Sequence, residues 1–327
     1  MKLIIQIPCY NEAGTLEATL AELPGRIDGV DEIEYLVIDD GSRDGTTQAA
    51  RRLGVHHIVR HPRNRGLARA FETGIRTSVG LGADIIVNTD ADNQYCGADI
   101  PKLIEPILKG EADMVVGERP IRDIPHFSLL KKWLQRLGSW TVRLLSATAV
   151  PDATSGFRAY SRETALRLNI FSHYTYTLET LIQAGHSNIQ VASILIRVNT
   201  PLRESRLIKN IPSYIKKSVS TMFRIFLLYR PLRLFASLGS LVFGAGFLLG
   251  ARFVYYFLVG EGDGHVQSLI LAATLLLMGF QLGILGLVAD LTASNRRILE
   301  DLQYEQRRKQ AESRGGGKPA KGTRIIS

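Results

Sequence analysis

Over the first 200 residues, short apolar runs rich in Ile and Val alternate with longer stretches whose apolar positions recur at helical spacing. The runs at 3–7, 34–38, 57–59, 84–88 and 112–116 predict strands, and the stretches at 12–23, 46–53, 67–79 and 99–108 predict helices. This β-α-β-α rhythm predicts an α/β domain with a mostly parallel sheet wrapped by helices on both faces, because parallel neighbours need crossovers. In such folds ligands bind beyond the carboxyl ends of the strands, so the residues just after each run are the ones to inspect.

The pattern changes near the C-terminus. Residues 234–251 and 268–289 carry no charge, and Arg252 is followed by a further apolar stretch at 253–259. At about 1.5 Å per residue, each run is long enough to cross a hydrocarbon layer of roughly 30 Å. A buried hairpin in a soluble domain would need enclosure on every side, so two membrane helices are the better reading. Between 197 and 233 there are nine Lys and Arg against the single acid Glu204, whereas the connector holds Glu261 and Asp263, and Arg296 and Arg297 follow the second run. The positive-inside rule then places the first domain and both termini in the cytoplasm, with Arg252 reaching the far headgroups or the acidic connector. Residues 208–230 read as a basic amphipathic helix lying in the interface with anionic membrane lipids, and 312–321 as a disordered polar tail. The expected divisions are 1–207 catalytic-sized domain, 208–233 interface helix, 234–290 membrane hairpin and 291–327 basic tail.

Composition narrows the choices. The chain has 327 residues, 45% hydrophobic, and a net charge of +9, which points to an anionic partner. That charge gathers beside the membrane runs rather than along a groove, which argues against nucleic acid. Cys9 and Cys96 are the only cysteines and the seven histidines show no ligand spacing, so neither a disulfide scaffold nor a zinc site is indicated. The N-terminal run is broken by Gln6 and Pro8 and reads as a buried strand, not a leader.

Three polar clusters follow the strand runs: Pro8-Cys9-Tyr10-Asn11-Glu12, Asp39-Asp40-Gly41-Ser42 with Asp44-Gly45-Thr46, and Asp90-Ala91-Asp92-Asn93-Gln94. Asp-Gly-Ser strings also serve as turns and N-caps. Asp90 and Asp92, two apart after an apolar strand, suit a hard divalent cation that neutralises a diphosphate. Gly66, in Asn64-Arg65-Gly66-Leu67, reads as a helix opening.

These motifs, in this order, resemble the family 2 inverting glycosyltransferases. Gly117-Glu118-Arg119, Asp152-Ala153-Thr154-Ser155-Gly156-Phe157-Arg158, the segment 176–179 and Glu204-Ser205-Arg206-Leu207, with the two membrane runs, are similar to dolichyl-phosphate mannose synthases and bacterial polyprenyl-phosphate hexose transferases. The resemblance implies a GT-A fold and a nucleotide-sugar donor held by Pro8, Tyr10, Glu12, Ile38, Asp40, Asp90, Ala91, Asp92 and Gln94, with Asp40 accepting from a base N–H. It implies Mg²⁺ or Mn²⁺ on Asp90 and Asp92, a catalytic set of Asp92, Arg119, Glu179 and Arg206, and an acceptor phosphate on Arg158, Arg203 and Arg206. Thr200 stands where the mannose synthases carry Arg, and Ser155-Gly156 reverses their order. The acceptor implied is a polyprenyl phosphate of undecaprenyl type, with a separate flippase and a homo-oligomer as further expectations. Transfer to a lipid or glycan hydroxyl, or a catalytically silent nucleotide-sugar-binding membrane protein, are the alternative readings.

Overall fold

The computed structural model describes residues 1–120, 150–170, 176–200, 227, 231–260 and 266–313. Within it the chain divides into two compact units, Met1–Lys216 with Leu302–Ser327, and Lys217–Asp301. The interface helix expected at 208–230 lies, apart from Leu227, outside the described residues.

The first unit is built on β1 (Lys2–Cys9), β2 (Glu32–Asp39), β3 (His57–Arg60), β4 (Ile85–Asn88), β5 (Met114–Glu118), β6 (Arg158–Ser161) and β7 (Val191–Leu195). The helices are α1 (Leu16–Ala21), α2 (Thr46–Arg52), α3 (Leu67–Gly80), α4 (Ile100–Leu108), α5 (Arg162–Arg167) and α6 (Thr177–His186). Among the described residues the strands form one seven-stranded sheet, ordered β3-β2-β1-β4-β6-β5-β7. Its core is the expected one: Leu3, Ile5, Ile7, Val37, Ile85, Val87 and Val115 are buried on strands, with Leu16, Ile100, Leu103 and Ile104 packed over them from helices.

The sheet is not wholly parallel. β6 runs antiparallel between β4 and β5, while the other pairings are parallel. β6 has the sequence Arg-Ala-Tyr-Ser, with neither a β-branched run nor alternation to betray it. Its neighbours on both sides supply the pairing that its own sequence does not advertise. α1 is shorter than the expected 12–23, because Asn11 adopts a left-handed φ of 56° and residues 11–13 bond to the β2–α2 loop instead.

The consequence for function is geometric. β1 to β4 end at one edge, with Cys9 opposite Asp39 and Asp39 opposite Arg60. β5 ends at that same edge, since β6 is antiparallel to both β4 and β5, and β6 starts there. The strand order reverses between β1 and β4, which is the switch point where open α/β sheets place a ligand.

The second unit holds α7 (Pro231–Leu258), and most of α8 (Val266–Ser313). Both are long and apolar enough to cross a membrane, and most of each apolar stretch is not buried against protein. They approach closely through glycines: a Cβ at Gly239 would lie 2.9 Å from the Gly279 carbonyl, and one at Gly246 2.9 Å from Leu275 Cβ. Small residues at such crossings let apolar helices pack without a hydrophobic driving force. The Arg252 guanidinium lies 5.6 Å from the Tyr256 ring centroid, one turn away; the acidic connector is outside the described residues. α8 runs to Ser313, and the rest of the tail expected to be disordered at 312–321 lies outside the described residues.

Candidate active site

Most of the acidic motif after β2 builds loops. Asp39 accepts from Ser42 N at 2.7 Å and from the Thr47 hydroxyl, and Asp44 accepts from Ala13 N at 3.0 Å and Thr46 N at 3.1 Å. Asp40, expected on the base, is buried: it accepts from Arg65 N at 2.9 Å and Gly66 N at 2.8 Å, and faces His61 Nδ1 at 2.6 Å. A contact to a base would come in addition to these. Gly66 is the N-cap of α3 at φ 91°, as the sequence suggests. Gly41 is required, since at φ 75° a Cβ would meet the Arg63 backbone at 2.5 Å.

Tyr10 is 40% exposed at the end of β1, while Glu12 is buried with Thr15 Oγ1 donating to it at 2.9 Å. Pro8 and Ile38 pair across the β1–β2 ladder and are buried. The Ile38 side chain lies against Gly74 of α3, so it belongs to the core and only its backbone is left for a nucleoside.

Asp90 and Asp92 follow β4 at the switch point, both half-buried. Their loop is braced by α1 through Thr19 Oγ1 donating to the Ala91 carbonyl at 3.1 Å and Asn93 Nδ2 to Glu22 at 3.0 Å. Gln94 N approaches Asp92 Oδ1 at 3.3 Å. Gly156 forms the bed of Asp90: a Cβ there would lie 3.1 and 3.2 Å from its two carboxylate oxygens. Gly156 N donates to Tyr95 Oη at 2.9 Å, and Tyr95 stacks on Phe157. Burial pushes the Tyr95 hydroxyl up to about 12, so it stays protonated.

Arg119, just past β5, forks onto Asp152, with Nε to Oδ2 at 2.7 Å and Nη2 to Oδ1 at 3.0 Å, and also reaches Thr154 Oγ1 at 2.9 Å. Burial works against the guanidinium charge, but Asp152 and Asp90 outweigh it and hold Arg119 above the usual arginine value. The Asp152 carboxyl is buried, which alone would raise it, yet Arg119 and Thr154 hold it below the usual carboxylate range. Arg119, expected in the catalytic set, is here paired with the Asp152 carboxylate.

Arg158 requires a correction. Expected on the acceptor phosphate, it is fully buried and donates to the carbonyls of Ala153 at 2.8 Å, Ser155 at 2.7 Å and Thr177 at 2.7 Å, and to Thr180 Oγ1 at 2.8 Å. It ties the β6 entry loop to α6 and faces no solvent. Glu179 is buried in the first turn of α6. Arg203 and Arg206 lie outside the described residues. Cys9 is buried and its thiol is pushed well up by burial and then by Glu12 and Asp39, which leaves it inert.

Asp152, Asn88, Tyr95 and Tyr176 are the residues whose site contacts the sequence left unassigned. Asp152 and Tyr176 stood in quoted motifs without a role, and nothing in the sequence pairs Asp152 with Arg119, 33 positions away.

Among the described residues no group of three or more His, Cys, Asp or Glu could hold a metal ion by itself. Two carboxylates at one loop suit Mg²⁺ or Mn²⁺ bound jointly by protein and a substrate diphosphate, since such ions keep water and phosphate oxygens as ligands. The bare Cα of Gly156 against Asp90 keeps room for that carboxylate, so the residues present fit the ion.

An open sheet with paired carboxylates at its switch point defines a ligand-binding α/β domain. The profile of Glycosyl transferase family 2 matches residues 4–167, half of the chain, and the chain belongs to this family. It is 33% identical over 177 residues to the undecaprenyl-phosphate mannosyltransferase of Micrococcus luteus, covering 52% of this chain and 70% of that one. It is 30% identical over 216 residues to the UDP-N-acetylglucosamine–dolichyl-phosphate N-acetylglucosaminyltransferase of Methanococcus voltae, covering 58% of this chain and 83% of that one. Among solved structures the fold resembles glucosyl-3-phosphoglycerate synthase of Mycobacterium tuberculosis in complex with Mn²⁺, UDP-glucose and phosphoglyceric acid, at 21% identity and TM-score 0.54, covering 68% of this chain and 79% of that one. The GT-A type of sheet and the glycosyltransferase class are therefore established, with two candidate membrane spans following.

Proposed function

We propose that this glycosyltransferase moves a hexose from a UDP- or GDP-sugar to a polyprenyl phosphate at the cytoplasmic membrane face, inverting the anomeric centre. The observations that support the choice of acceptor are the long apolar helices α7 and α8 together with the named relatives. A hydroxyl acceptor needs a positioned base to take its proton. A phosphate monoester has a second pKa of about 6 and arrives as its own nucleophile. The named relatives are polyprenyl-phosphate transferases, and α7 and α8 would keep the domain beside a lipid-borne acceptor.

In this reading Tyr10 stacks on the base and Asp40 holds the loop beneath it. Asp90 and Asp92 would hold Mg²⁺ or Mn²⁺, which when bound supplies charge to the departing diphosphate. Arg119 is proposed as a contact of the donor or acceptor phosphate, its charge partly offset by Asp152. Charge grows on the leaving group as the sugar becomes oxocarbenium-like, and the domain's task is alignment of the phosphate in line with the anomeric carbon. Arg203 and Arg206 remain proposed contacts of the acceptor phosphate, with Glu179 orienting it.

The test is to incubate membranes holding the full chain with labelled UDP- and GDP-sugars, Mn²⁺ or Mg²⁺ and undecaprenyl phosphate, and to extract the lipid product. An acid-labile glycolipid from one donor is the expected result. Label passing only to hydroxyl acceptors, or to none, overturns the reading.

A further inference from the structure

The row of the sheet directly beneath the site is polar. Gln6 of β1 pairs with Asn88 of β4, and Asn88 with Arg158 of β6; all three are fully buried. Central strands covered on both faces are ordinarily apolar at such positions. Among the described residues Arg158 has no carboxylate partner, an expensive way to bury a guanidinium.

The hydrogen bonds allow one arrangement. The Gly156 carbonyl can only accept, so Asn88 must turn Nδ2 toward it, at 2.9 Å, and the same nitrogen donates to Tyr176 Oη at 2.9 Å. Asn88 Oδ1 is then left to accept from Gln6 Nε2 at 2.8 Å. Gln6 Oε1 is thereby turned to Gly74 of α3, where a Cβ would stand 2.3 Å away, and it has no hydrogen-bond partner. An unsatisfied buried acceptor is a cost accepted elsewhere in the row. Tyr176 stacks on Phe71 with centroids 3.9 Å apart, and Arg158 binds the carbonyls of Ala153 and Ser155 on the same loop. Asn88 and Arg158 between them thus bond the carbonyls of Ala153, Ser155 and Gly156, the segment that ends at the bed of Asp90, while Arg158 also ties it to α6 through Thr177 and Thr180.

We propose that Asn88 is a positioning residue for the cation site: the Gln6–Asn88–Arg158 row fixes Gly156, and Gly156 fixes the Asp90 carboxylate. This rests on the reading of Asp90 and Asp92 as cation ligands.

The test uses the full chain in detergent, with Mn²⁺ titrated in the presence of UDP or GDP, free Mn²⁺ read by electron paramagnetic resonance, and thermal melting followed in parallel. Asn88→Leu keeps the side chain's size and removes its polar atoms, Tyr176→Phe removes one hydroxyl, and Ile104→Ala, in the α4 core, is a control for general loosening. Asn88→Leu should weaken Mn²⁺ about 10-fold or more, the scale of supporting-shell losses. Tyr176→Phe should weaken it less, and Ile104→Ala should leave it unchanged at a comparable loss of Tm. Unchanged Mn²⁺ affinity in folded Asn88→Leu overturns the proposal, as does an equal loss in Ile104→Ala. Should Asn88→Leu fail to fold, unchanged affinity in Tyr176→Phe overturns it. Wild-type chain that takes up no Mn²⁺ with either nucleotide overturns the cation reading itself, and the proposal with it.

Discussion

Removing Asp152 tests whether the site's electrostatics are a coupled pair. Asp152 has a side chain 1% exposed and Arg119 14%, and the contact is a two-bond fork. Asp152→Ala would leave the buried guanidinium with Thr154 as its one side-chain hydrogen-bond partner among the described residues, and breaking a buried pair from one side costs about 3–5 kcal/mol. For a domain of this size each kcal/mol moves Tm by about 2–4 °C, so a fall on the order of 6–20 °C is expected by circular dichroism of the detergent-solubilised chain. Asp152→Ala with Arg119→Met removes the stranded charge and should recover more than half of that loss. The pH dependence follows the same logic. The folded-state carboxyl of Asp152 lies below its unfolded value, so its contribution is complete above about pH 4. It is lost only as pH falls through the depressed value. Asp152→Asn should therefore flatten the acid limb below about pH 4 and leave the profile from pH 6 to 9 parallel to wild type. A single variant costing under about 1 kcal/mol, or additive effects in the double variant, would refute the coupling.

Three further outcomes are expected. Asp92→Ala should abolish transfer in a chain that keeps its melting profile and its membrane fraction; unchanged turnover removes Asp92 from the cation site. Arg158→Met should cost several kcal/mol of stability, read as a fall in Tm, since it takes the side-chain donor from the buried carbonyls of Ala153 and Ser155 at about 1–3 kcal/mol each and removes two bonds to α6. Any activity that remains should show an unaltered KM for lipid phosphate, and a raised KM without loss of Tm would return Arg158 to the acceptor. Tyr10→Ala should raise the donor KM about 5- to 100-fold if it stacks on the base, the range of aromatic–base stacking, with the lipid KM unaffected.

The sequence by itself determined the elements that announce themselves locally. β1, β2 and β4 are apolar runs closed by polar turn residues, α3 opens at Gly66, and two uncharged stretches near the C-terminus became α7 and α8. Parallel crossovers then required the clusters at 8–12, 39–46 and 90–94 to gather at one edge, because β1, β2 and β4 share a direction. What only tertiary structure decided is which of those polar residues hold the loops. Asp39, Asp40 and Asp44 look alike in sequence to Asp90 and Asp92, yet they accept from backbone N–H groups of neighbouring loops. Arg158 reads as one more phosphate cation until β6 slots between β4 and β5 and closes it in. Apolar periodicity is a property of consecutive residues, whereas the partner of a buried charge is set by strands and loops that meet from far along the chain. Burial in three dimensions turned an arginine into a brace, a glycine into the seat of a carboxylate, and an unassigned asparagine into a support of that seat.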